Sequence, residues 1–73
     1  MKNNKSVLII TGTSSGLGKD LAKHFLKKNY IVCGCSRGKS KINKKNYFHS
    51  ILNIKNEDEV KNWINTIYLM SMI

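Results

Sequence analysis

Thr11-Gly12-Thr13-Ser14-Ser15-Gly16-Leu17-Gly18 decides the reading of this 73-residue chain. The octet follows an apolar run, Val7-Leu8-Ile9-Ile10, and opens a stretch of helical periodicity. Leu17, Leu21, Ala22, Phe25 and Leu26 fall on one helical face, and Lys19, Asp20, Lys23, His24, Lys27 and Lys28 fill the other. Strand, glycine-rich turn and helix, in that order, present free backbone N–H groups to an anion, with the positive end of the helix dipole behind them. Glycine in such a turn lets a phosphate approach the backbone closely.

Working outward, Val7 to Thr11 is expected as a strand. Its unbroken apolar character predicts a parallel strand covered on both faces. The first helix is expected to end near Asn29, with Lys27 and Lys28 placed favourably against its dipole. Tyr30 to Ser36 reads as a second strand, rich in β-branched and apolar residues. The basic segment 37–46 reads as a loop with room for one helical turn, and Tyr47 to Leu52 as a third strand. Asn56 with Glu59 three residues on forms a capping-box pattern, with Glu57 and Asp58 in the first turn. Val60, Trp63, Ile64 and Ile67 continue that helix, with Trp63 as its core anchor. The expected fold class is α/β: a truncated Rossmann-like parallel sheet in the order β-α-β-loop-β-α, three strands and two helices. No proline, repeat or composition break marks a second domain, so residues 1–73 are expected to be the N-terminal part of one incomplete dinucleotide-binding domain. The apolar tail Tyr68-Leu69-Met70-Ser71-Met72-Ile73 carries no helix stop or turn signal and suggests a chain cut short.

The formal net charge of +9 invites a nucleic-acid reading. Its make-up argues otherwise: 12 Lys stand against one Arg, and with 9 Asn and 9 Ile they make up 30 of the 73 residues. All three types have A/T-rich codons, whereas specific nucleic-acid readers lean on Arg and stacked aromatics. Cys33 and Cys35, two apart in a strand, share one face in a spacing poorly suited to a disulfide, so buried free thiols in a reducing cytosol are expected. Met1-Lys2-Asn3-Asn4-Lys5 and the following apolar residues imitate a signal peptide only briefly, and no window approaches a membrane span. A cytoplasmic location with no membrane partner is expected. His24 on the polar helix face and His49 in the third strand lack partners at metal or triad spacing, so both read as surface or packing residues and no metal site is expected.

Two nucleotide motifs fail on spacing. A P-loop needs Gly at position 13 and Ser or Thr at position 20, where Thr13 and Asp20 stand. G-x-G-x-x-G fails because the glycines lie at 12, 16 and 18. The pattern T-G-x-x-x-G-x-G, between a buried strand and an amphipathic helix, resembles the short-chain dehydrogenase/reductase family. The likeness runs from Val7 to Arg37 and more weakly to Ile67. It implies that Gly12 allows the tight turn and that Gly16 and Leu17 offer backbone contacts to a pyrophosphate. It further implies that Gly18 packs helix on strand and that Ser14 and Ser15 add hydroxyl bonds to phosphate or ribose.

An NAD-selective protein needs a carboxylate at the end of the second strand to accept from the ribose hydroxyls. Ser36 and Arg37 stand there, and no Asp or Glu occurs between Asp20 and Glu57. A guanidinium grips a 2′-phosphate bidentately where a carboxylate would repel it, so NADP(H) is the expected cofactor ahead of NAD(H). Family members carry an acidic residue at the end of the third strand to meet the adenine amino group. Asn53 holds that place here, beside Ile54, and its amide oxygen can still accept.

The family's Tyr-x-x-x-Lys has no counterpart: Tyr30, Tyr47 and Tyr68 are followed four residues on by Gly34, Ile51 and Met72. The Asn-Asn-Ala-Gly segment is likewise absent, so the family's catalytic residues are expected beyond Ile73. The resemblance implies the NADP(H)-binding N-terminal portion of an oxidoreductase that moves hydride to or from a carbonyl or alcohol, a substrate met only in a full-length form. The 73 residues alone are expected to be inactive. The alternative is a small non-catalytic nucleotide-binding or basic nucleic-acid-binding protein.

Overall fold

The computed structural model describes residues 6–71. The Met1–Lys5 run, weighed above as a signal-peptide start, and the tail end at Met72 and Ile73 lie outside the described residues. In chain order the elements are β1 (Val7–Thr11), α1 (Gly16–Lys27), β2 (Ile31–Ser36), β3 (Tyr47–Ile51) and α2 (Glu57–Ser71). The three strands form one parallel sheet in the order β1-β2-β3. This is the expected Rossmann-like arrangement. Segment 37–46 is loop and turn throughout, without the helical turn that the sequence left room for.

Strand β2 runs down the middle and divides the core by its alternation. Cys33 and Cys35 face one side, where they pack with Leu52 and Trp63, joined by Ile31, Val60 and Ile67. Val32 faces the other, with Ala22 and Tyr47, joined by Leu8, Ile10, Phe25 and Leu26. Helix α2 therefore covers one face of the sheet and α1 the other. Trp63 is the buried anchor of α2, and both thiols are buried and unpaired on the same face. Burial pushes both thiols above the ordinary value of 9.0; at Cys35 a hydrogen bond from the Gly12 backbone works against that rise.

Each helix end follows local chemistry. At the C-terminus of α1, Asn29 takes a left-handed φ of 69°. The Tyr30 N–H reaches back to the Phe25 carbonyl (3.1 Å) and the Asn29 N–H to that of Leu26 (3.1 Å). Phe25 and Tyr30 close the motif edge to face at 5.0 Å, a Schellman cap with its apolar contact. At the start of α2, the Asn56 carboxamide oxygen accepts from the Glu59 N–H at 3.2 Å, as the capping pattern predicts. Glu59 returns the bond differently from a standard box: its carboxylate accepts from Asn56 Nδ2 (3.2 Å) and from the Asn53 N–H (3.1 Å). The end of β3 is thereby tied to the helix that follows.

Two expectations are corrected. Strand β1 is not covered on both faces: Val7 and Ile9 are 41% and 42% exposed. It is an edge strand, and α2 packs over β2 and over Leu52 just after β3 instead, so only Leu8 and Ile10 on the α1 side join a core. On α1 itself the apolar stripe is only partly used. Ala22 is fully buried, but Leu17 is 75% exposed and Leu21 40%. Gly18 and Ala22 make the closest approach of α1 to the sheet, and Phe25 and Leu26 pack beside Ala22.

Candidate functional site

The glycine turn at the carboxyl end of β1 is built from two left-handed residues and one close approach. Gly12 has φ 70° and Gly16 φ 60°, conformations that side chains disfavour. A Cβ on Gly18 would land on the Gly12 carbonyl, with the Thr11 oxygen 3.1 Å away, so glycine there lets α1 sit directly on the end of β1. The expected packing role of Gly18 matches this geometry.

The backbone N–H groups of the turn divide into two sets. Those of Gly12 and Thr13 both donate to the Cys35 carbonyl, at 2.8 and 3.2 Å, and clamp the turn to β2. Those of the first turn of α1 have no acceptor within their own helix. Ser15, the N-cap, makes no side-chain cap bond and leaves them uncovered. The amides of residues 16 to 18 are thus left open at the start of α1, while those of Gly12 and Thr13 are engaged by β2.

An open pocket of about 470 Å³ lies at the carboxyl ends of the strands. Gly12, Ser14, Ser15, Ser36, Arg37, Asn53 and Ile54, all singled out from the sequence, line it. Gly16, Leu17 and Gly18 begin the helix beside it but are not among its lining residues. Gly38, Leu52 and Lys55 complete the wall and were not anticipated. Arg37 and Lys55 are the cations of this lining, which holds no carboxylate. Arg37 is exposed, and among the described residues it forms no ion pair.

Three side chains are already engaged. Asn53 Oδ1 accepts from the Lys55 N–H at 2.9 Å, which leaves one lone pair for a further donor. Ser14 Oγ stands against Ser36 Oγ and 3.1 Å from the Lys39 carbonyl, so its hydroxyl is engaged by the end of β2 and the loop after it. Ser36 Oγ in turn donates to the Gly38 carbonyl (2.8 Å) and accepts from the Gly38 N–H (3.3 Å). Arg37 therefore sits inside a closed two-bond clamp.

Behind this wall lies a polar chain that sequence reasoning missed. Thr13, fully buried, bonds Tyr47 Oη at 2.6 Å, and Tyr47 bonds His49 Nδ1 at 2.7 Å. His49 Nε2 lies 2.8 Å from the Gly38 carbonyl and 3.2 Å from Ser36 Oγ. Gly34 makes room for it: a Cβ there would strike the Tyr47 hydroxyl and both Oγ1 and Cγ2 of Thr13. Glycine inside a strand often marks such an approach, and this was the available signal.

Sequence and fold both match known proteins. The chain is 38% identical over 74 residues to a 3-oxoacyl-[acyl-carrier-protein] reductase FabG of Buchnera aphidicola subsp. Acyrthosiphon pisum (strain APS), covering 93% of this chain and 30% of that protein. The fold superposes on a short-chain dehydrogenase/reductase from Burkholderia vietnamiensis with a TM-score of 0.71 at 25% identity, over 84% of this chain and 30% of that one. The family it resembles is the short-chain dehydrogenases/reductases. No family model matches the chain. The chain spans 30% of the length of these two short-chain dehydrogenase/reductase-like relatives, and the likeness covers the three strands and two helices described above. Among the described residues, no helix is long and apolar enough to cross a membrane.

Proposed function

We propose that this chain forms the NADP(H)-binding portion of a short-chain dehydrogenase/reductase-like oxidoreductase. The observation that carries the reading is Arg37. It stands exposed, with no ion pair among the described residues, in the pocket at the end of β2, in the place where an NAD-selective protein would put a carboxylate. A guanidinium with no internal carboxylate partner is available to a 2′-phosphate and gains two charge-assisted bonds from it.

The residues present fit a dinucleotide. The open amides of Gly16 and Leu17 and the free hydroxyl of Ser15 meet the pyrophosphate, and the left-handed glycines keep Cβ atoms away from it. Arg37, supported by Ser36, takes the 2′-phosphate. Asn53 and Ile54 border the adenine, with the remaining Asn53 lone pair accepting from its amino group. When bound, the cofactor supplies or accepts the hydride; this chain's residues bind and orient it. The Buchnera relative is named as a reductase of 3-oxoacyl groups, which supports a carbonyl or alcohol as the substrate of a longer protein. No Tyr-x-x-x-Lys occurs in these 73 residues, so the chain alone holds cofactor without turning over substrate. A cytoplasmic setting agrees with a soluble cofactor and with two free thiols.

Titrating the chain with NADPH, NADH and an oligonucleotide at two salt concentrations tests the reading. The expected result is binding of NADPH in preference to NADH. No NADPH binding, together with oligonucleotide affinity that falls steeply with salt, would replace it with the basic nucleic-acid module.

A further inference from the structure

His49 lies on β3 in register with Gly34 of β2, on the sheet face covered by α1. Its ring bridges two parts of the molecule; the Gly38 carbonyl fixes one hydrogen-bond direction, and for a neutral ring the others follow from it. The Gly38 carbonyl can only accept, so His49 Nε2 carries the hydrogen across the 2.8 Å contact. In the neutral imidazole Nδ1 then accepts, so Tyr47 donates its hydroxyl hydrogen across 2.7 Å. The Tyr47 oxygen is left to accept from buried Thr13 Oγ1 at 2.6 Å. The donors thus run in one sense, from Thr13 of the glycine turn through Tyr47 and His49 to Gly38.

The far end of this relay is the residue after Arg37. Gly38 is held by Ser36 Oγ through both its N–H and its carbonyl, and by His49 from beneath. The same imidazole nitrogen reaches Ser36 Oγ at 3.2 Å. Both neighbours of Arg37 are therefore held by one ring that is not itself among the pocket-lining residues. Resting on the reading that Arg37 receives a 2′-phosphate, we propose that His49 is a positioning residue that sets the preference for the phosphorylated over the unphosphorylated ribose. It acts by holding the Ser36–Gly38 clamp so that the guanidinium is aimed before the ligand arrives, which removes ordering cost from binding.

The test compares His49→Phe, which keeps the ring bulk and loses both hydrogen bonds, with His49→Gln, which keeps a donor and an acceptor. Dissociation constants for NADPH and NADH are measured on the whole chain, with the fold checked by far-UV circular dichroism. His49→Phe is expected to weaken NADPH about tenfold and NADH less than twofold, and His49→Gln to recover most of the loss. Equal loss for both cofactors in a folded His49→Phe would show a merely structural role and overturn the proposal. If His49→Phe does not fold, the unmodified chain decides by imidazole 15N NMR. The Nε2-protonated tautomer is expected, with its resonances moved by NADPH and not by NADH; an Nδ1-protonated ring, or identical responses, overturns the proposal. Failure of the unmodified chain to bind NADPH is a separate result: it removes the 2′-phosphate reading itself, and the role of His49 with it.

Discussion

Replacing Gly18 by alanine should be a strongly destabilising single-methyl change, because the obstacle it meets is backbone. The added Cβ would overlap the Gly12 carbonyl oxygen, lie 2.8 Å from its carbon and 3.1 Å from the Thr11 oxygen. All three atoms are backbone, so no rotamer change relieves the clash, and α1 must lift away from the end of β1. Overpacking of this kind costs about 1–3 kcal/mol, and the rigid obstacle puts Gly18→Ala near the upper figure. A 73-residue domain is held by roughly 4–11 kcal/mol in all, so the loss is a large share of its stability. Two controls separate crowding from backbone strain. Gly16→Ala meets no atom within 4 Å but must keep φ 60°, at a cost of about 1–2 kcal/mol. Gly38→Ala meets neither obstacle and should stay within about 0.5 kcal/mol of the parent. Urea titration followed by the fluorescence of Trp63, the single and buried tryptophan, reads all three. A Gly18→Ala chain as stable as Gly38→Ala would refute the claimed contact between α1 and the strand end.

Other consequences are open to measurement. Arg37→Asp should weaken NADPH by roughly 10–100-fold through loss of charge-assisted bonds, with NADH affinity unchanged or improved; equal losses for both would remove the 2′-phosphate assignment. Because burial raises both thiols, the folded chain keeps its protons where the unfolded one loses them. Stability should therefore be insensitive to this pair below about pH 9 and fall as pH rises above it, and alkylation of Cys33 and Cys35 should be slow until urea is added. Asn56→Ala should cost about 1 kcal/mol by stripping the cap of α2, measured as a lower urea midpoint.

The strands, the glycine turn and the α2 cap were legible because each is written in residues close together in the chain. Asn56 and Glu59 are three apart, Gly12 and Gly18 six, and strand β1 is one apolar run, so local periodicity and spacing carry their meaning. The exposure of Val7 and Ile9 was not legible, since an apolar run says that a strand can be covered on two faces and not that a neighbour is present to cover it. Leu17 fails for a related reason: a helical stripe marks a possible face, and here the sheet is met by Gly18 and Ala22 while Leu17 stays exposed. In both places the pattern states a capacity, and tertiary arrangement decides how much of it is used.

The relay beneath the pocket shows the opposite limit. Thr13 and Tyr47 are 34 residues apart, and neither belongs to a motif with chemical meaning by itself. What joins them is the pleat: β2 and β3 in register place Tyr47 and His49 on one face, and Gly34 leaves the gap between them and the turn. Filling that gap with a methyl group would force Thr13 and Tyr47 apart, leaving buried hydroxyls unsatisfied at about 1–3 kcal/mol each. Gly34→Ala should therefore lower the urea midpoint and loosen the Ser36–Gly38 clamp together, seen as broadened Gly38 amide resonances. A destabilised chain whose Gly38 resonances stay sharp would show that the clamp holds without the buried relay, and that Ser36 alone aims Arg37.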